Sequence, residues 1–262
     1  MIIGVGHHCK RIYYPIFEKI RNYNLVIVDT SSEKEKIKKY ISKMKLKPLE
    51  EIYIKKFSDK NDSLPSEIEE RLDEQIKKYS IKGVIISTDP LCHYQYAKWA
   101  LKKELSILMD KPITVTKNVS TNPELSNKLN EHYIELKNLY KKINNKKRKT
   151  LFSIVSQRRF HNGFKKVKKL LQEVYEKTNC PPTSIQISHS DGQWRLPHEI
   201  VDIDYHSYNH GFGKVSHSGY HFIDIINFLT DFVEKDKGAD NVDINSKFLR
   251  PLDFIFQITI ED

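Results

Sequence analysis

The first half of the chain repeats one pattern that leaves few folds open: a short apolar run, an amphipathic helical stretch, then another apolar run. Met1–Val5, Leu25–Val28, a segment around Tyr53, Gly83–Ser87 and Ser106–Met109 read as strands. Between them, Cys9–Arg21, Glu33–Met44, Pro65–Tyr79 and the stretch from Pro90 to about Lys103 carry apolar residues at the three-and-four spacing of one helix face. In the first of these helices Ile12, Ile16 and Ile20 share a face, and Pro15 should kink it or shorten its first turn. Asp89-Pro90 supplies the cap and first turn of the helix after the fourth run. Strands alternating with helices build βαβ units, and these build a parallel sheet covered on both faces. A last helix of this half runs from Asn122-Pro123 to about Ile143.

The pattern changes at the basic stretch 144–150, which holds Lys146-Lys147-Arg148-Lys149. That change divides the chain into expected domains at 1–145 and 146–262. Beyond it the elements are segregated, which signals an α+β domain. Leu151–Ser156, Ser184–Ser190 and Phe254–Ile260 read as strands. Phe164–Lys177 reads as a helix burying Phe164, Val167, Leu171 and Val174, and His221–Phe232 as an apolar helix. A loop rich in His and Tyr fills 191–218.

Composition removes several classes. At 262 residues, 39% hydrophobic and 30% charged, the chain is globular and long enough for two cores. No apolar run approaches the ~18 residues of a membrane span, and Met1-Ile2-Ile3-Gly4 starts without a secretory signal pattern. Cys9, Cys92 and Cys180 are an odd, scattered set without a CxxC, so a disulfide framework is not expected and a reducing cytoplasm is. The net charge of +10 invites a nucleic-acid reading. The lysines, however, interleave with glutamates, as in Ser32-Glu33-Lys34-Glu35-Lys36, and no zinc finger or RNP motif is present, so no nucleic-acid partner is expected.

Gly4-Val5-Gly6-His7-His8-Cys9 lies between the first strand and the first helix, where a dinucleotide fingerprint belongs. The first glycine permits the tight turn, and the second lets backbone amides approach a pyrophosphate. Cys9, small but not glycine, takes the third position. Asp29 ends the second strand about 20 residues on, where a carboxylate binds ribose hydroxyls and disfavours a 2′-phosphate. NAD is the expected cofactor, with NADP as the alternative.

Further segments resemble the glucose–fructose oxidoreductase / inositol dehydrogenase family. Gly83–Pro90 with Thr88, followed by His93, Ala97 and Ala100, resembles its strand-then-helix segment. Asp110-Lys111-Pro112 resembles its E-K-P, and Gln157-Arg158-Arg159-Phe160 its arginine-phenylalanine strand. Trp194-Arg195 and Gly211-x-Gly213 keep the family order, and Gly219-Tyr220-His221-Phe222-Ile223-Asp224 resembles its G-x-H-x-x-D signature. The resemblance implies a Rossmann domain that is a doubly wound parallel sheet, then an α+β domain with an open, mainly antiparallel sheet, shortened here. It implies hydride transfer between NAD(P) and a hydroxyl or carbonyl of a sugar, cyclitol or similar compound, in a cytoplasmic homo-oligomer, a dimer.

The resemblance also assigns roles. Lys111 would polarise the substrate oxygen and His221 would exchange its proton. Gly4, Gly6, His7, His8, Cys9, Asp29, Thr88 and His93 would hold the cofactor. Arg159, Trp194, His217 and Asp224 would meet the substrate, with Asp224 able to orient the His221 ring. Many family enzymes carry aspartate where His217 stands, so a catalytically silent NAD(P)-binding sensor of the same fold is the alternative. His189, His198, His206, His210, His217 and His221 crowd together, but no HExxH or ligand triad stands out, and no metal is expected.

Overall fold

The computed structural model describes residues 1–20, 23–57, 61–145, 150–188, 210–213 and 215–233. Its frame is one six-stranded sheet in the order β3-β2-β1-β4-β5-β6, with every pairing parallel. The strands are β1 (Ile2–Ile3), β2 (Val26–Thr30), β3 (Glu50–Ile54), β4 (Gly83–Ile86), β5 (Ser106–Met109) and β6 (Phe152–Ile154). Alternate side chains feed two cores, as the two-residue period of a strand requires. Ile2 and Ile27 point to one face, with Cys9, Tyr14, Ile37 and Ile41. Ile3, Val26, Val28, Val84, Ile86, Ile107 and Met109 point to the other, with Leu72, Trp99, Leu101 and Leu136.

The helices follow from this division. On the first face lie α1 (His7–Arg11), α2 (Tyr13–Ile20) and α3 (Lys34–Ser42); on the second lie α4 (Ser66–Tyr79), α5 (His93–Lys102) and α6 (Glu124–Asn144). The first helix of the chain is two pieces. Pro15 has no N–H to reach the Arg11 carbonyl, and the backbone breaks at Ile12. The buried side of these pieces is Cys9, Tyr13 and Tyr14; Ile12, Ile16 and Ile20 are 37–48% exposed. Helix α5 is buried nearly all round, wedged between the sheet and α6. Asp89 accepts from the Leu91 N–H at 3.0 Å, and Pro90–Cys92 makes a 3₁₀ turn into α5.

Four expectations for the second half change. Residues 152–154 do not open a new sheet: Ile107, Leu108 and Met109 pair with Phe152, Ser153 and Ile154, so β6 completes the first sheet and that sheet extends past residue 146. The reason is α6, which carries the chain across the second face and returns it beside β5. Gln157–Phe160 is a 3₁₀ turn rather than a strand, and residues 184–188 carry no strand. Helix α7 (Asn162–Thr178) forms, but Val167 and Val174 are 44% and 54% exposed, because among the described residues it packs mainly against the 3₁₀ turn and α8 (Tyr220–Thr230). The run 146–149, Trp194, His189, His198, His206 and the expected strand Phe254–Ile260 lie outside the described residues. Among the described residues, no helix is long and apolar enough to cross a membrane.

Candidate active site

In this strand order the connections leave β1 and β4 in opposite directions, and ligands of open α/β sheets bind at the crevice so formed. A cleft of about 640 Å³ opens there, at the carboxyl ends of the strands. Gly4, Gly6, His7, His8, Asp29 and Thr88 all line it. Gly4 has φ +91°, and a Cβ there would lie 2.4 Å from the Ser87 carbonyl oxygen, so β1 and β4 close on one another only because position 4 has no side chain. Gly6 differs: a Cβ would meet nothing within 4 Å, and its backbone faces the open cleft. That is the surface a pyrophosphate needs.

Asp29 is tied into the same turn. Its Oδ2 accepts from the Val5 N–H at 2.6 Å, and its Oδ1 from the Thr30 N–H at 2.6 Å and the Thr30 hydroxyl at 3.3 Å. Each carboxylate oxygen has two lone pairs, so Oδ2 keeps one for a ribose hydroxyl. Glu33 lines the same end of the cleft and adds a second carboxylate. Cys9 is fully buried beneath the turn; burial first, and then the charges of Asp110 and Asp29, push its thiol up to about 12, so it stays a neutral packing residue. The residues present therefore fit a dinucleotide, with the Gly4–Gly6 turn against the pyrophosphate and Asp29 at the ribose.

The other end of the cleft holds Asp110, Lys111 and His221. Asp110 is a junction: Tyr13 Oη donates to Oδ1, Ser87 Oγ donates to Oδ2 at 2.6 Å, and His8 Nε2 lies 3.6 Å from Oδ1. Burial, then the bond to Asp110, raises the Tyr13 phenol above its ordinary range, which keeps it protonated and donating. Lys111 Nζ donates to the backbone carbonyl of His217. His217 belongs to a π-helical turn, Val215–Gly219, of the kind that often marks functional sites. One turn later His221 enters the cleft from the start of α8, 7% exposed. Helix α8 is held in place by Tyr220 Oη, which donates to the Val155 carbonyl.

Several residues stand elsewhere than the sequence suggested. Asp224 is ion-paired with the 3₁₀ turn. Arg159 takes both its oxygens, Nε to Oδ2 at 2.8 Å and Nη2 to Oδ1 at 2.5 Å, joining the 3₁₀ turn to α8. His93 is fully buried and its ring nitrogens meet backbone carbonyls rather than the cleft. Tyr13, Ser87, Glu33 and Tyr220 were not singled out in the sequence. Among the described residues, no group of three or more His, Cys, Asp or Glu is placed to hold a metal ion.

A parallel sheet reversing at a glycine turn, with a carboxylate ending the second strand, defines a dinucleotide-binding protein. The chain belongs to the GFO_IDH_MocA family: the family model described as "Oxidoreductase family, NAD-binding Rossmann fold" matches residues 1–140. NAD is the cofactor of that fold. Among solved structures the fold is similar to a scyllo-inositol dehydrogenase from Lactobacillus casei with bound NAD(H) and scyllo-inositol, at TM-score 0.55 and 14% identity over 88% of this chain and 55% of that one. It is also similar to the WlbA (WbpB) dehydrogenase from Thermus thermophilus in complex with NAD and alpha-ketoglutarate, at TM-score 0.52 and 15% identity over 87% of this chain and 61% of that one. The chain thus spans less than two thirds of the length of either. No curated protein matches it.

Proposed function

We propose that the protein is an NAD-dependent dehydrogenase acting on a CH–OH or C=O group of a sugar, cyclitol or similar polyhydroxylated compound. The observation that carries this reading is that Lys111 and His221 line the same cleft as the Gly4–Gly6 turn and Asp29. When bound, the nicotinamide supplies or accepts the hydride. The protein's part is proton and charge management. The Lys111 ammonium polarises the substrate oxygen, exchanging its bond to the His217 carbonyl for one to substrate. His221 takes the hydroxyl proton during oxidation and returns it during reduction. Cofactor contacts fall to Gly4, Gly6, His7, His8, Asp29 and Thr88, and substrate contacts to His217 and Trp194.

The residues beyond β6 would then form the substrate domain, and two copies would associate through it, in the cytoplasm. Light scattering that returns a monomer at high micromolar concentration overturns the dimer. A turnover screen of sugars and cyclitols with NAD+ and NADP+ tests the activity. Turnover with at least one polyol, faster with NAD+, is expected; NADH binding without turnover on any of them supports a silent sensor instead. The engagement of Lys111 by a backbone carbonyl is the observation that favours that second reading.

A further inference from the structure

Lys111 is flanked by two residues that the fold grips firmly. On one side, the Asp110 N–H donates to the Ile86 carbonyl at 2.9 Å, and its carboxylate is held by Tyr13 and Ser87. On the other side, Pro112 has no N–H of its own, and its carbonyl meets Nδ1 of His93 at 2.7 Å. The second ring nitrogen, Nε2, lies 3.2 Å from the carbonyl of Thr88, a residue of the cleft wall. His93 is 0% exposed at the first turn of α5. One buried ring therefore touches the backbone of both loops that frame the cleft floor.

The chemistry of the ring makes the two contacts unequal. A neutral imidazole has one N–H, and both partners here are acceptors, so only one carbonyl can receive a bond. Burial lowers the basicity of His93 below the ordinary histidine value, against the nearby Pro112 and Thr88 carbonyls and the charges of Asp110 and Asp89, so the ring is neutral at pH 7. The shorter contact identifies the bonded one. We propose that His93 is a positioning residue: its Nδ1–H fixes the Pro112 carbonyl and thereby holds Lys111 at the floor of the cleft. It does not touch the cofactor. This rests on Lys111 as the residue that polarises the substrate oxygen.

Two variants separate the contacts. In H93N the side-chain amide nitrogen occupies the place of Nδ1 and keeps the bond to Pro112; in H93Q it occupies the place of Nε2, facing Thr88. H93N is expected to retain kcat within about threefold. H93Q should lose about tenfold to a hundredfold, since small displacements of a reacting group cost that much. Both should keep the NADH Kd within about twofold. A purely structural histidine would lower the melting temperature of both without separating their kcat values. Equal losses in the two variants, or full kcat in H93Q, overturn the proposal.

A second measurement needs no turnover. In ¹⁵N-histidine NMR spectra of the wild-type protein at pH 7, the signal that disappears in H93N should be a neutral ring protonated on Nδ1. A ring protonated on Nε2 would place the bond at Thr88 and overturn the clamp. If the wild-type protein turns over no polyol, the reading of the site fails, and the NMR result alone decides the clamp.

Discussion

Lys111 and His217 are joined by a hydrogen bond from the ammonium of one to the backbone carbonyl of the other, across 106 residues of sequence. The bond connects the end of β5 to the π-helical turn that leads into His221. Lys111→Ala and His221→Ala should each lower kcat by about a hundredfold, the usual worth of a positioned acid–base or electrostatic group. NADH affinity should change less than threefold in both. Steady-state kinetics on a confirmed substrate, with calorimetry of NADH binding, check the pair; full activity in either variant removes that residue from the mechanism.

The two glycines of the first turn should respond differently to the same methyl group. Gly4→Ala places a Cβ against the Ser87 backbone at a positive φ and should destabilise the fold by several kcal/mol, at the upper end of single-site effects. Gly6→Ala has open space around it, so its melting temperature should stay within about 2 °C. Its NADH affinity should nonetheless fall tenfold or more, because the methyl stands where the pyrophosphate approaches. Thermal unfolding with and without NADH distinguishes them.

Cofactor choice should lie with Asp29 and its neighbour Glu33. Both carboxylates line the cleft and would repel a 2′-phosphate placed beside them. Asp29→Ser should narrow the ratio of NADPH to NADH dissociation constants by at least tenfold, mostly through weaker NADH binding. An unchanged ratio would move the ribose site elsewhere.

Acid should destabilise the domain well above the carboxylate range. His93 and His132 are both buried, and desolvation lowers the basicity of each. His132 stacks on Tyr94 at 3.6 Å between ring centroids, with Nδ1 3.1 Å from Thr114 Oγ1 and Nε2 3.3 Å from Asp62 Oδ1. An unfolded histidine takes a proton near pH 6.5, before the folded one does, so the unfolded state gains protons first and stability falls as pH drops from about 6.5. Urea midpoints should therefore decline between pH 7.5 and 5.5. His132→Phe keeps the ring stack and removes the titration, and its midpoint should vary less over that interval.

The N-terminal fold was legible in the sequence because its determinants are local. Apolar runs such as Val26–Val28 and Gly83–Ile86, the helical spacing of Ile68 and Leu72, and the glycine turn each specify their own element. The alternation of elements then leaves one economical sheet. Lys111 and His221 stood out through short motifs that resemble those of the family, and both line the cleft. What the sequence withheld was every relation that depends on which distant segments meet. The Ile12, Ile16 and Ile20 stripe looked like a core face, yet Tyr13 and Tyr14 turn inward, because the helix breaks at Ile12 and its phase resets. Residues 152–154 read as the start of a second domain and became β6, since only the crossing of α6 puts them beside β5. Arg159 and Asp224, each expected at the substrate, pair with one another, and His93, expected at the cofactor, is buried in α5 between two carbonyls. Local propensity and spacing determine elements. Side-chain partners separated by tens of residues are decided by packing, which alone fixes whether a polar group meets solvent, a ligand or another part of the chain.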